Sequence, residues 1–204
     1  MVSAFVVNLF LATVILVVFG ADAHGTKAAL RATARVAFLW FWLAYAGGAL
    51  SVLFGPAFSF LKQHAREFGL AFAAALLVHL MLVSWLCWIG APPDRGVFVF
   101  FGSAAAFTFL LAGFSFGNLH AVLGAKWWYV FRMVGMNFIL YAFFRDFKSV
   151  PRHDAFDVLM YLPFAVMAVT AFLLRIAAWG ARWHANFTDP SRSDTERQHV
   201  RSGR

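Results

Sequence analysis

The stretch REFGLAFAAALLVHLMLVSWL, residues 66–86, is apolar from Gly69 onward except for one imidazole, that of His79. An apolar run of this kind has the length at which a helix crosses the hydrocarbon core of a bilayer. A polar side chain at that depth is costly and usually faces another helix, where it finds a partner. The stretch therefore predicts a membrane-spanning helix with His79 turned toward the interior of a helical bundle.

The whole chain has the composition of a membrane protein. Of its 204 residues, 62% are hydrophobic and 13% are charged, whereas charged residues make up about a quarter of an ordinary soluble domain. We expect an all-α integral membrane protein, with residues 1–180 as a single membrane domain and 181–204 as a polar, mobile C-terminal tail. The hydrophobic blocks predict six transmembrane helices, at about 3–21, 34–55, 67–89, 97–116, 127–144 and 157–179.

The net charge of +8 is carried by loops and by the tail. Lys and Arg in such positions contact lipid headgroups and influence topology. Membrane lipids are therefore the expected partners, and nucleic acid is not. The single cysteine, Cys87, excludes both an intrachain disulfide framework and a cysteine-ligated cluster.

Four polar residues stand out as candidates inside the predicted spans: Asn8, His79, Arg132 and Asn137. The two asparagines are expected to hydrogen-bond across helices, and Arg132, near the start of the fifth span, can extend toward the headgroups. His79 has two interpretations, because a neutral imidazole serves either as a hydrogen-bonded packing group or as a ligand to metal or haem iron.

A resemblance to a known family rests on the order and spacing of several segments. Arg66-x-x-Gly69 followed by His79 resembles the third helix of the ferric reductase-like transmembrane domain. Residues 50–69, 110–135 and 158–179 resemble the segments before and after that helix, so the resemblance covers most of 34–179. Within the family, the chain is most similar to the haem-binding membrane subunits of periplasmic methionine sulfoxide reductase systems.

This resemblance implies a six-helix bundle in the bacterial inner membrane that binds haem b through histidine pairs on its third and fifth helices. Only His79 carries over as an axial ligand of the haem iron. The two ligand positions of the family's fifth helix, one of them beside Arg132, hold Phe131 and Phe144 here. Phenylalanine cannot ligate iron, so the iron would be either five-coordinate or bound by a further group such as His24 or His153.

Two functions are therefore expected. In the first, the chain is an electron-transfer component of a membrane oxidoreductase that binds haem b through His79, with quinone as a further partner. In the alternative, it is a cofactor-free descendant of the fold and serves as an accessory or assembly subunit alongside another protein subunit. If haem is absent, His79 is expected to hydrogen-bond Asn137 or Tyr141.

Overall fold

The computed structural model describes residues 1–116, 120–149 and 155–188, and side chains within 1–115, 124–148 and 159–185. The described part of the chain is helical and contains no strand. Its helices are α1 (Val2–Phe19), α2 (Ala23–Phe54), α3 (Ser59–Gln63), α4 (Ala65–Trp88), α5 (Arg95–Phe116), α6 (His120–Ser149) and α7 (Ala155–Thr188), with a 3₁₀ turn at Gly55–Phe58 between α2 and α3.

Five helical segments of the described chain are long and apolar enough to cross a membrane: α1, the stretch Ala23–Gln63, α4, and most of α5 and α7. The class of an all-helical membrane protein is therefore supported. The helix α6 is not among the five, since Arg132, Asn137 and the tryptophans at 127 and 128 lower its hydropathy. Of the six predicted spans, five are thus supported, and a sixth crossing by α6 belongs to the proposal below.

The second helix begins much earlier than predicted. Residues 22–33 were expected to form a loop, but α2 begins at Ala23. The chain turns at Gly20, whose φ is +89°, and the Asp22 carboxylate caps α2 by accepting a hydrogen bond of 2.9 Å from the backbone N–H of Gly25. A Cβ at Gly25 would collide with the carbonyl oxygen of Gly20, so glycine is required for this tight turn between α1 and α2.

The last helix is also longer than predicted. It continues to Thr188, so residues 181–188 of the expected tail extend α7. The remaining tail residues, 189–204, lie outside the described part of the chain.

The central helix of the array is α2, which packs against α1, α4 and α7. Its fully buried rings Phe38 and Phe41 contact Phe143 of α6, and Phe38 also contacts Phe164 of α7. A smaller apolar cluster joins α1, α2 and α4 through Ala12, Ala29, Val78 and Leu82.

Contacts between helix ends show how neighbouring helices run. Arg66, at the start of α4, donates a hydrogen bond of 2.6 Å to the carbonyl of Ser115, at the end of α5. Trp85, near the end of α4, donates one of 3.0 Å to the carbonyl of Ala21, just before α2. The helix α4 is therefore antiparallel to α5 and to α2. We name the end of the array with Arg66 and Ser115 the cation end and the end with Ala21 and Trp85 the opposite end.

Candidate functional site

His79 faces the central helix, as its depth in the sequence predicts. Its Nδ1 lies 3.3 Å from the hydroxyl oxygen of Thr33 on α2, and that hydroxyl also lies 2.9 Å from the carbonyl of Ala29. A hydrogen bond from His79 to another helix was expected, but the expected partners, Asn137 and Tyr141, were wrong. The actual partner, Thr33, belongs to the segment that was predicted to be a loop.

Apolar packing lies beside His79, which is itself half-buried. Val78 and Leu82, on the same helix, pack against Ala12 of α1 and Ala29 of α2. One turn before His79, the carbonyl of Ala75 accepts a hydrogen bond of 3.1 Å from the fully buried amide of Asn8. This bond confirms the predicted interhelical role of Asn8. We name the contact of α1, α2 and α4 the closed region.

The residues that the family resemblance implies for haem do not come together around His79. The ring of Phe131 packs against Phe107 and Phe114 of α5, and Phe144 is half-buried against the main core. His24 is exposed, and His153 lies outside the described residues.

No group of three or more His, Cys, Asp or Glu side chains that could hold a metal ion occurs among the described residues. His79 also does not line either of the two clefts described below. Among the described side chains, the donor set therefore does not fit haem b held by a histidine pair.

Two clefts lie beside α6. The first, of about 320 Å³, is enclosed by α2, α3, α4, α5 and α6. The second, of about 570 Å³, lies between α2, α6 and α7, with Lys62 and Ala65 at its edge. They adjoin, because both are lined by Ala44, Lys62, Ala65, Arg132 and Met136.

The two clefts are strongly basic. Among the described side chains, five cations and no Asp or Glu line the two clefts: the cations are Lys62, Arg66, Arg132, Arg175 and Arg182. Arg66, Gly69 and Arg132, which the sequence had marked through the family resemblance, come together in the first cleft. The structure thus assembles these residues at a basic cleft, away from His79.

A chain of polar contacts crosses the second cleft and joins three helices. The guanidinium carbon of Arg175, on α7, lies 4.5 Å from the centre of the Tyr45 ring on α2. The Tyr45 hydroxyl donates a hydrogen bond of 2.6 Å to Oδ1 of Asn137 on α6, and the Asn137 amide donates one of 2.8 Å to the carbonyl of Met133. This confirms the predicted interhelical role of Asn137.

Sequence reasoning missed Arg175 and Tyr45 as site residues. Arg175 lies within the predicted span 157–179 and was used only as part of the family resemblance. An arginine inside a span is by itself a reason to expect a site facing the bundle interior, and that signal was available in the sequence.

The opposite end of the array carries cations of a different kind. The guanidinium carbon of Arg35 lies 4.5 Å from the centre of the Tyr161 ring, and Asp146 lies close enough to Arg31 and Arg35 for their charges to attract. A carboxylate therefore accompanies the cations at this end, whereas none lines the clefts.

In comparisons with known proteins, no family model matches the chain, and neither a curated protein nor a solved structure shows significant similarity to it.

Proposed function

We propose that the chain is a cofactor-free membrane subunit of ferric reductase-like architecture, which acts as an accessory or assembly subunit of a larger complex in the bacterial inner membrane. The observation that carries this proposal is the contact of His79 with Thr33 inside the closed region. The one histidine that the family resemblance assigns to haem is used here to join α4 to α2.

In this proposal α6 is the sixth helix to cross the membrane. It packs against α5 and α7. Its polar side chains Arg132 and Asn137 line the clefts, and Asn137 is paired with Tyr45. A helix whose polar groups face the bundle interior can cross a bilayer at a lower mean hydropathy than one that exposes them to lipid.

One observation favours the electron-transfer function as a second candidate. A hydrogen bond at one ring nitrogen is what orients a ligating histidine and sets its tautomer. The Thr33 hydroxyl lies beside Nδ1 of His79, where such an orienting hydrogen bond would be. The absence of a second fitting ligand among the described residues argues against this candidate.

A visible absorption spectrum separates the two functions. The full chain is expressed with supplementary haem precursor, purified in a mild detergent and measured oxidised and reduced, together with His79→Ala and, as a control, His64→Ala near the cation end. We expect no Soret band in any of the three proteins. A Soret band that disappears only in His79→Ala would overturn the cofactor-free proposal in favour of electron transfer.

The accessory role has its own test, because it requires a partner subunit. Native membranes are solubilised in digitonin, and the chain is followed on a native gel. We expect it to migrate in a stable complex with a distinct integral membrane protein, at a fixed ratio of the two. Migration as a single chain under conditions that keep other membrane complexes intact would contradict the accessory role.

A further inference from the structure

The five cations of the clefts lie in an arrangement that lacks its counter-charge. Arg132 lies close enough to Arg175 for their like charges to repel, and no carboxylate of the described side chains lines either cleft. Arg66 and Arg175 have partners, but these are the backbone carbonyl of Ser115 and the ring of Tyr45. Charged side chains within a membrane bundle usually pair with one another or with backbone carbonyls. Because five cations line these clefts without a described counter-charge, the clefts are complementary to an anion.

The cationic side chains of the second cleft are spaced along its length. Arg182 and Arg175 are seven residues apart on α7, which places them about 10 Å apart along the helix axis at 1.5 Å per residue. Lys62, on the short helix α3, lines both clefts together with Arg132. The region where the two clefts meet is therefore cationic.

Beside the cations and other polar residues, each cleft is also lined by apolar side chains. The first extends to Phe41, Phe72 and Ile139. The second extends along α7 past Phe172, Ile176 and Trp179, which are exposed on the surface of the array. An inorganic anion would use only the cationic part of this site, whereas an amphiphile would use both parts.

We propose that the paired clefts bind an anionic phospholipid, with the headgroup phosphate at Lys62, Arg132 and Arg175 and the acyl chains along the two apolar linings. Basic pockets between transmembrane helices have the chemistry that binds anionic lipid headgroups. Arginine suits phosphate in particular, because its planar guanidinium can donate two parallel hydrogen bonds. This proposal does not depend on whether the chain binds haem.

The test measures thermal unfolding of the purified, delipidated full chain in a neutral detergent, with increasing amounts of short-chain phosphatidylglycerol. A ligand that binds the folded state raises the unfolding temperature in a concentration-dependent way. Short-chain phosphatidylcholine, inorganic phosphate and a short-chain ubiquinone are titrated in parallel. We expect stabilisation by phosphatidylglycerol alone.

Two variants test the location of the site. Arg132→Gln/Arg175→Gln removes the inner cations, and its apparent affinity for phosphatidylglycerol is expected to fall about tenfold or more. Arg145→Gln is the matched control, because Arg145 is also on α6 but stacks 4.4 Å from the centre of the Phe100 ring and lines neither cleft. If the double variant does not fold, Lys62→Gln/Arg182→Gln replaces it, since both of these exposed side chains also line the second cleft.

Each contrary outcome overturns the proposal. Equal stabilisation by phosphatidylcholine would remove the role of the cations, and equal stabilisation by inorganic phosphate would make the site an anion site without a lipid. Preferential stabilisation by the quinone would assign the clefts to a different ligand. An unchanged affinity for phosphatidylglycerol in the cleft variants would place lipid binding elsewhere on the chain.

Discussion

The closed region and the basic clefts hold polar groups of different kinds. In the closed region, the half-buried His79 and the buried Asn8 each contact a hydrogen-bonding group on a neighbouring helix, beside a cluster of apolar side chains. The clefts are lined by five cations, four of them exposed, and by no carboxylate among the described side chains. A histidine in a membrane helix is a candidate ligand, but in this protein the uncompensated charge lies in the clefts and not at His79.

This difference has a physical basis. A neutral imidazole or amide needs one or two hydrogen bonds, which two packed helices can supply. A guanidinium carries a charge that hydrogen bonds to carbonyls or contact with a ring only partly offset. The polar groups of the closed region are neutral, although Asn8 Oδ1 and the Thr26 hydroxyl have no hydrogen-bond partner there, whereas the clefts carry charge and are complementary to a bound anion. Substitutions in the two regions should accordingly have different effects, and matched pairs of variants can measure the difference.

The largest difference is expected between two glycines of α2. Gly25→Ala, in the turn between α1 and α2, would force its Cβ into the carbonyl oxygen of Gly20. We expect it to cost more than the ~1–3 kcal/mol of ordinary overpacking, because the obstacle is backbone that cannot rotate away. Thermal unfolding in detergent and the yield of folded protein measure the effect.

The control for this variant is Gly48→Ala. Gly48 lines the second cleft, and a Cβ there meets nothing within 4 Å. We expect no loss of stability, and a gain of up to about 1 kcal/mol from the higher helix propensity of alanine. Equal destabilisation by the two substitutions would show that the two regions do not differ in packing in the way described.

The early start of α2 shows what sequence reasoning could and could not predict. The apolar blocks predicted the helical class and the approximate position of every long helix. Lys27 and Arg31 fell in the segment predicted to be a loop, yet the small buried residues Thr26, Ala29 and Thr33 recur at helical spacing around them. This helical spacing of small residues can be read from the sequence, and it indicates an amphipathic extension of α2.

That boundary error also led to the wrong partner for His79. With residues 22–33 assigned to a loop, Thr33 was not considered, and the partner was sought on the fifth predicted helix. The clefts could not be predicted in the same way, because they depend on how the helices α2 to α7 pack. Arg66, Gly69 and Arg132 were marked through the family resemblance, but only the packing brings them into the first cleft and places Arg175 in the one that adjoins it.

A second, intermediate effect is expected at two buried tyrosines. Tyr45→Phe removes the hydroxyl that donates to Asn137 at 2.6 Å and leaves a buried amide oxygen without that donor. We expect a loss of about 1–2 kcal/mol in the free energy of unfolding. The phenylalanine ring still accepts the contact with Arg175, so the variant isolates the hydroxyl.

Tyr161→Phe is the matched control. Tyr161 is 7% exposed, against 4% for Tyr45, and its ring also lies under a guanidinium, that of Arg35. Its buried hydroxyl, however, has no hydrogen-bond partner. Removing an unsatisfied buried hydroxyl should be neutral or stabilising. A larger loss at Tyr161 than at Tyr45 would refute the assigned role of the contact between Tyr45 and Asn137.

The smallest effect is expected in the closed region, at the hydroxyl that contacts His79. Thr33→Val keeps the shape of the side chain and removes the group 3.3 Å from Nδ1. Interhelical hydrogen bonds in membrane proteins contribute about 0.6 kcal/mol on average, so we expect a loss of about that size in the free energy of unfolding. Thr26→Val is the control, because Thr26 is also fully buried on α2 but its hydroxyl has no partner, and its replacement should cost nothing. Unfolding in a mixed detergent, with both variants measured side by side, resolves the difference. If Thr26→Val costs as much as Thr33→Val, the loss reflects packing of the methyl groups, and the contact with His79 does not contribute to the stability of the closed region.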